Sequence, residues 1–270
     1  MGSPRATVIA VVNQKGGVGK TTTTINVAAA LGQMGYRTLV VDMCHQADAT
    51  TGLGLSQELE PNMYHWLMDT DERVQPEDII RQTSFPQLWL APAAVELADF
   101  EWETMSWLSR EKILRFRLRP LLSNFDFILV DTPPNVSQLT LNALAAADYF
   151  LIPITAEWFP ARGLARLMRV ARQMREFDIS TDLDLLGIVV TMYDGRMRLT
   201  REVVQRVREA FGDVQFQTVI RRNVRVAEAQ GEGKPVIYFD PKCVASVGYI
   251  ELAKEVLERV RARVRTSLLA

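Results

Sequence analysis

Cysteine is nearly absent from this chain: its 270 residues hold two, Cys44 and Cys243. They lie far apart and at no metal-type spacing, which excludes a disulfide framework. Histidine is as scarce, with only His45 and His65. The neighbours Cys44 and His45 therefore lack companions for a metal centre, and adjacent side chains project in different directions. Long hydrophobic runs are missing too. Charges break every apolar stretch before the roughly 18 residues of a membrane-spanning helix. Met1 to Arg5 leads straight into an apolar strand, leaving no room for a secretory leader, so the cytoplasm is the expected compartment. Net charge is almost nil, with 31 Lys+Arg against 32 Asp+Glu, so nucleic-acid binding would need a local patch. No repeat, low-complexity tract or linker interrupts the chain. Its length fits one domain over residues 1–270, and 48% hydrophobic residues can fill a sizeable core.

What is present is alternation. Apolar strands are expected at Val8–Val12, Thr38–Asp42, Leu88–Ala91, Phe125–Val130, Tyr149–Ile152 and Leu185–Val190. Helical patterns separate them at Thr23–Leu31, Arg110–Leu122, Gln138–Ala146, Leu164–Phe177, Thr200–Phe211 and Val247–Val264. Continuous Val/Ile/Leu strands between helices predict an α/β fold, a doubly wound and mostly parallel sheet covered on both faces.

Between the first strand and first helix lies Lys15-Gly16-Gly17-Val18-Gly19-Lys20-Thr21-Thr22. Strand, glycine-rich loop, then Lys-Thr opening a helix is the context of a phosphate-binding loop. Glycines let backbone N–H groups turn inward around phosphate oxygens, and the helix points its positive end at the same anion. Lys20 is expected on the β/γ-phosphates and the Thr21 hydroxyl on Mg²⁺. A second landmark, Phe127-Ile128-Leu129-Val130-Asp131-Thr132-Pro133-Pro134, is an apolar strand ending in a carboxylate. Asp131 then holds Mg²⁺ through water, at the strand ends where open α/β sheets place their ligands. These features predict a site for a nucleoside triphosphate and Mg²⁺.

With Lys15 ahead of the loop, the pattern resembles the deviant Walker A ATPases, the ParA/Soj-like group of the ParA/MinD family that also includes nitrogenase iron protein. The resemblance implies a P-loop NTPase fold in which Lys15 crosses a dimer interface to the partner's nucleotide, so that ATP holds a homodimer together. Asp131-Thr132-Pro133-Pro134 is similar to the family's "D-x-P-P", the start of a switch loop that senses the γ-phosphate. Asp42-Met43-Cys44-His45-Gln46-Ala47-Asp48-Ala49-Thr50 is similar to "D-x-D-P-Q-x-N-A-T", whose second Asp orients the attacking water. Here that position is Cys44, a poor acceptor of a water proton at neutral pH, which predicts slow hydrolysis with nucleotide binding intact. Asp48 either supplies part of the missing charge, as the nitrogenase relative suggests, or caps the helical turn that follows. Lys15, Lys20, Asp42, Cys44, Asp48 and Asp131 are thus the expected catalytic set.

Arg196 to Arg225 holds eight arginines against three acidic residues. Guanidinium groups bind phosphate bidentately, and backbone contacts to DNA need no sequence information. The segment resembles ParA stretches that carry non-specific DNA-binding and adenine-proximal residues. Tyr193, Asp194, Arg196, Arg222, Asn223, Arg225, Glu228, Gly233, Lys234 and Pro235 match the family, which usually has Pro where Arg221 sits. The resemblance places DNA on Arg196, Arg198, Arg222 and Arg225, and the base near Tyr193, Arg221 and Asn223. A solvated helix face is the competing reading, above all for Arg206 and Arg208. The last helix carries an apolar stripe from Ile250 to Val264 beside Arg259, Arg261, Arg263 and Arg265. Packing on the sheet accounts for that stripe better than a MinD-like membrane tail. Trp66, Trp89, Trp102 and Trp107 fall where such proteins diverge, as partner contacts or core. The family further implies a ParB-like stimulating partner and nucleoid association, in the service of segregating or positioning a chromosome, plasmid or protein cargo.

Overall fold

The computed structural model describes residues 5–155 and 161–269, with the side chains of 161, 162 and 264–269 left out. In chain order the elements begin with β1 (Thr7–Val11), α1 (Lys20–Gln33), β2 (Thr38–Asp42), α2 (Asp48–Gly52), α3 (Met63–Met68), α4 (Pro76–Ile79), β3 (Arg81–Gln82) and β4 (Leu88–Ala91). There follow α5 (Phe100–Glu103), α6 (Ile113–Leu118), β5 (Phe127–Asp131), α7 (Gln138–Ala146), β6 (Tyr149–Thr155), α8 (Ala161–Glu176) and β7 (Asp184–Tyr193). The chain closes with α9 (Arg198–Phe211), β8 (Gln215–Arg221), α10 (Arg225–Gly231), α11 (Val236–Phe239) and α12 (Val244–Leu269).

The eight strands form one sheet in the order β3-β4-β2-β5-β1-β6-β7-β8. All pairings are parallel except β3 with β4. Period-two alternation divides β1 between two cores: Val8 and Ala10 face a layer with α3, α6, α7, α8 and α9, whereas Ile9 and Val11 face α1 and α12. Helices on both faces explain why the central strands are apolar throughout. The chain is thus a mostly parallel, doubly wound α/β structure.

Several boundaries differ from expectation for identifiable reasons. The stretch expected as one helix over Arg110–Leu122 is a short turn of α6 flanked by 3₁₀ segments, because Pro120 removes an amide donor. β3 and β8 were not anticipated. They are edge strands, and β8 alternates polar with apolar residues in the arginine-rich region, where charge hides the pattern.

The C-terminal stripe packs. Leu252, Ala253, Val256 and Val260 are buried beside α1 and the sheet. Arg259 goes inward with them. Its guanidinium donates to the carbonyls of Leu186, Val214 and Gln215 at 2.9–3.0 Å and lies 4.0 Å from the Phe216 ring centroid. Gly187 makes room for it, since a Cβ there would stand 2.6 Å from the Arg259 side chain. Arg263 pairs with Asp184 at 2.6 Å. The side chains of Val264 and Arg265 lie outside the described set. Among the described residues no helix is long and apolar enough to cross a membrane.

Candidate active site

A cavity of about 250 Å³ opens at the carboxyl ends of the central strands. Gly16, Gly17 and Gly19 of the β1–α1 loop line it, with Lys20, Thr21 and Thr22 from the first turn of α1. Gly19 caps that helix at φ +82°, a left-handed conformation that costs a side chain dearly. The loop is anchored from three directions. Asn13 accepts from the Lys15 amide at 3.0 Å and donates to the Pro153 carbonyl at 2.7 Å. The Thr191 hydroxyl donates to the Val18 carbonyl at 2.8 Å, and that of Thr132 to Val11 at 2.7 Å. Neighbouring strand ends thus fix the loop before any ligand arrives.

Lys20 is buried, and burial pulls its ammonium below the ordinary lysine range while Asp131 opposes the shift. Among the described residues its ammonium makes one hydrogen bond, to the Lys15 carbonyl, long at 3.4 Å. A buried cation so weakly satisfied is an anion site. Beside it the Thr21 hydroxyl donates to Asp131 at 2.7 Å, and the Thr24 hydroxyl donates to the other carboxylate oxygen at 3.2 Å. Asp131 is fully buried, and burial pushes it up to about 7, aided by the charge of Asp42. One hydroxyl and one carboxylate fit Mg²⁺, which keeps several waters and takes substrate phosphates as further ligands. Among the described residues no cluster of three His, Cys, Asp or Glu offers a denser metal site.

Cys44 and Asp48 also line the cavity, with Thr132 and Pro134 from the segment after β5. The Cys44 thiol is pushed up to about 12, first by burial and then by the carboxylates of Asp42, Asp131 and Asp48. At neutral pH it is a thiol, not a base.

Asp131 itself lies behind the cavity wall, reached through Thr21, and Asp42, expected among the catalytic residues, does not line the cavity either. Its carboxylate accepts the Cys44 amide at 3.1 Å, the Thr50 amide at 2.9 Å and the Thr50 hydroxyl at 2.8 Å. It is therefore Asp42 that caps α2 from outside, while the Ala47–Asp48 start of that helix has no side-chain cap of its own. The capping alternative for Asp48 is thereby set aside. Lys15 and Val18 are also off the cavity wall, Lys15 exposed and Val18 buried.

Tyr193, Arg221 and Asn223 are likewise not on the wall. Tyr193 and Arg222 share a backbone hydrogen bond at 3.0 Å, and Asn223 turns the chain by accepting the Arg225 amide at 2.9 Å. The wall instead includes Met192, at φ +52°, and Gln230 of α10. Neither was singled out, although both flank segments that were. The four arginines expected on DNA are exposed, but Arg196 is bound to Asp194, Arg198 to Glu202 and Arg225 to Glu228 and Asp240. Of the tryptophans, Trp66 is buried, Trp89 packs edge-on to Phe125 and Trp102 is 75% exposed.

The family model for the AAA domain matches residues 6–185. The sporulation initiation inhibitor protein Soj of Bacillus subtilis is 40% identical over 250 residues, 92% of this chain and 97% of that protein. The chromosome partitioning protein ParA of Caulobacter vibrioides is 40% identical over 259 residues, 95% and 96% of the two chains. Among solved structures, cobyrinic acid a,c-diamide synthase from Mycobacterium smegmatis, crystallised with ADP and magnesium, matches with a TM-score of 0.82 at 30% identity, covering 95% of this chain and 96% of that one. With near full-length identity to Soj and ParA and a phosphate loop set at the ends of a doubly wound sheet, the chain belongs to the ParA/Soj family of P-loop ATPases.

Proposed function

We propose that the chain is a cytoplasmic, nucleoid-associated ATPase that binds Mg·ATP, dimerises on it and holds DNA without sequence preference. It would act with a ParB-like stimulating protein to segregate or position a chromosome, plasmid or protein cargo. The observation that carries the reading is the buried, under-satisfied Lys20 ammonium beside the Thr21–Asp131 pair. The loop amides from Gly16 to Thr22 receive the phosphates, and Lys20 neutralises the charge that spreads over the transferred group. Thr21 would hold Mg²⁺ directly and Asp131 through water, and the ion, when bound, would polarise the phosphate oxygens. Lys15, exposed on the loop, is free to reach a second copy.

Water activation is the weak step. Cys44 sits on the cavity wall where relatives carry a carboxylate, and its thiol holds its proton at neutral pH. Asp48, on the same wall, is the remaining group able to orient water. Titration calorimetry with Mg·ATP tests the reading: saturable uptake of one nucleotide per chain, lost in Lys20→Ala, is expected. Well-folded protein that takes up neither ATP nor ADP refutes it. The Cys44 environment also favours a second reading, a nucleotide-locked scaffold that barely hydrolyses ATP. Single-turnover hydrolysis separates the two, since a scaffold leaves its bound ATP intact.

A further inference from the structure

Between Pro92 and Ser109 the chain carries four carboxylates and no cation. Short helical turns, α5 among them, give this segment a fixed shape. Leu97 and Phe100 are buried in the core, and the buried Thr104 hydroxyl donates to the Phe100 carbonyl at 2.7 Å. Their neighbours face out. Trp102 is 75% and Leu108 95% exposed, with Val95 and Met105 more than half exposed. An anchored backbone that holds a tryptophan, a methionine and a leucine in water is unlike a scatter of single exposed apolar residues.

The carboxylates of Glu96, Asp99, Glu101 and Glu103 stand among these apolar groups, all on exposed residues. Two accept hydrogen bonds, Glu103 from the Tyr64 hydroxyl at 2.8 Å and Glu101 from the Gln138 amide at 3.4 Å. Among the described residues none of the four has a cation within ion-pair distance. Their charges act on one spot. The Tyr64 hydroxyl is pushed up, first by its hydrogen bond to Glu103, then by burial and by the charges of Glu103, Asp99 and Glu96.

That charge narrows the partner. Four unneutralised carboxylates repel the phosphates of nucleic acid and the anionic surface of a bilayer. Two copies meeting patch to patch would set like charges against each other. A cationic segment meets no such penalty, and tryptophan and methionine are side chains that interface centres favour. We propose that the surface from Val95 to Leu108 docks a partner protein through a segment that carries lysine or arginine beside large apolar side chains. None of these residues lines the nucleotide cavity, so the docking goes beyond the ATPase reading and needs no nucleotide.

The test uses full-length protein without nucleotide and a fluorescent peptide of about 18 residues, lysine and leucine at helical spacing, followed by anisotropy. Two matched peptides replace every leucine by serine or every lysine by glutamate. The lysine–leucine peptide is expected to bind saturably, at least about tenfold more tightly than either matched peptide. W102S/L108S is expected to weaken it by about tenfold or more, as loss of an interface anchor does. E96Q/D99N should weaken it by about threefold and flatten its salt dependence. L108S alone, at a side chain almost wholly in water, gives a second variant should the double fold poorly. Lys20→Ala should keep the peptide while losing ATP, which tells failure of the ATPase reading from failure of the docking. A wild type that binds no lysine–leucine peptide, or binds the serine peptide as well, overturns the proposal, as does unchanged binding by W102S/L108S. Sedimentation with phosphatidylglycerol vesicles, or self-association of the wild type, that W102S/L108S abolishes would assign the patch to another occupant and overturn it too.

Discussion

Asp42 and Asp131 stand side by side at the ends of paired strands, β2 and β5, and both are fully buried. Their surroundings diverge. Asp131 meets two hydroxyls of α1 that a cation can displace or share, Thr21 and Thr24. Asp42 meets two backbone amides and the Thr50 hydroxyl, groups tied to the loop itself. The same residue type at the same register thus meets hydroxyls of the phosphate-loop helix on one strand and the amides of its own loop on the next. What decides is the loop that follows: the one after β2 curls back through Ala47 at φ +52° and aims its amides at Asp42.

The sharpest break of this comparison is Asp42→Ala. It strands two buried amides and a hydroxyl, and is expected to cost about 2–4 kcal/mol, read by urea unfolding without nucleotide. If stability holds within about 0.5 kcal/mol, within the range of surface changes, Asp42 is not the brace described. Asp131→Ala should act oppositely in kind. It removes a carboxylate repelled by its neighbour and leaves only side-chain hydroxyls behind, so unfolding changes little. Nucleotide-dependent Mg²⁺ affinity should instead fall by about 10–100-fold, as for outer-sphere metal partners. Calorimetry at several Mg²⁺ concentrations measures it, and an unchanged affinity removes Asp131 from the ion's shell.

What the sequence made legible follows from range. Gly19, Lys20 and Thr21 are contiguous, and strand, turn and helix are each set by neighbours a few residues away. The placement of Asp131 beside Thr21 was readable because an apolar strand ending in carboxylate runs next to such a loop in this sheet order. The hydrogen bonding of Asp42 was not legible because it depends on where Thr50 swings, eight residues on. Met192 and Gln230 reach the cavity only through the assembled sheet, from more than 170 residues beyond the phosphate loop. Arg259 read as one more surface cation of a basic helix, yet Gly187, on another element, opens the slot that takes it inward. Pairing across sequence decides such cases, and periodicity carries no record of it.

Cys44→Asp sharpens the comparison by placing a carboxylate beside Asp48 in the cavity lining. Turnover is expected to rise by about a hundredfold, the lower end of what a positioned general base contributes, while Asp48→Ala slows it. Steady-state phosphate release reports both. If neither substitution alters the rate, water is not activated from this wall.

The smallest expected effect is the pH dependence of the two carboxylates. Burial raises Asp42 to about 6 and Asp131 to about 7, against ordinary values near 4. Between these limits the folded chain holds protons that the unfolded chain has released. Stability therefore falls as pH rises from about 4 to about 7 and levels off above. Asp131→Asn removes one of the two titrations and the repulsion between the pair. Its advantage over wild type should be near zero at pH 4 and grow steadily as pH rises to 8, in magnesium-free buffer. Asp42→Asn should show no such gain, because an amide cannot accept all three donors that the carboxylate satisfies. Parallel pH profiles for the two variants, by urea unfolding, would mean that the carboxylates are equivalent after all.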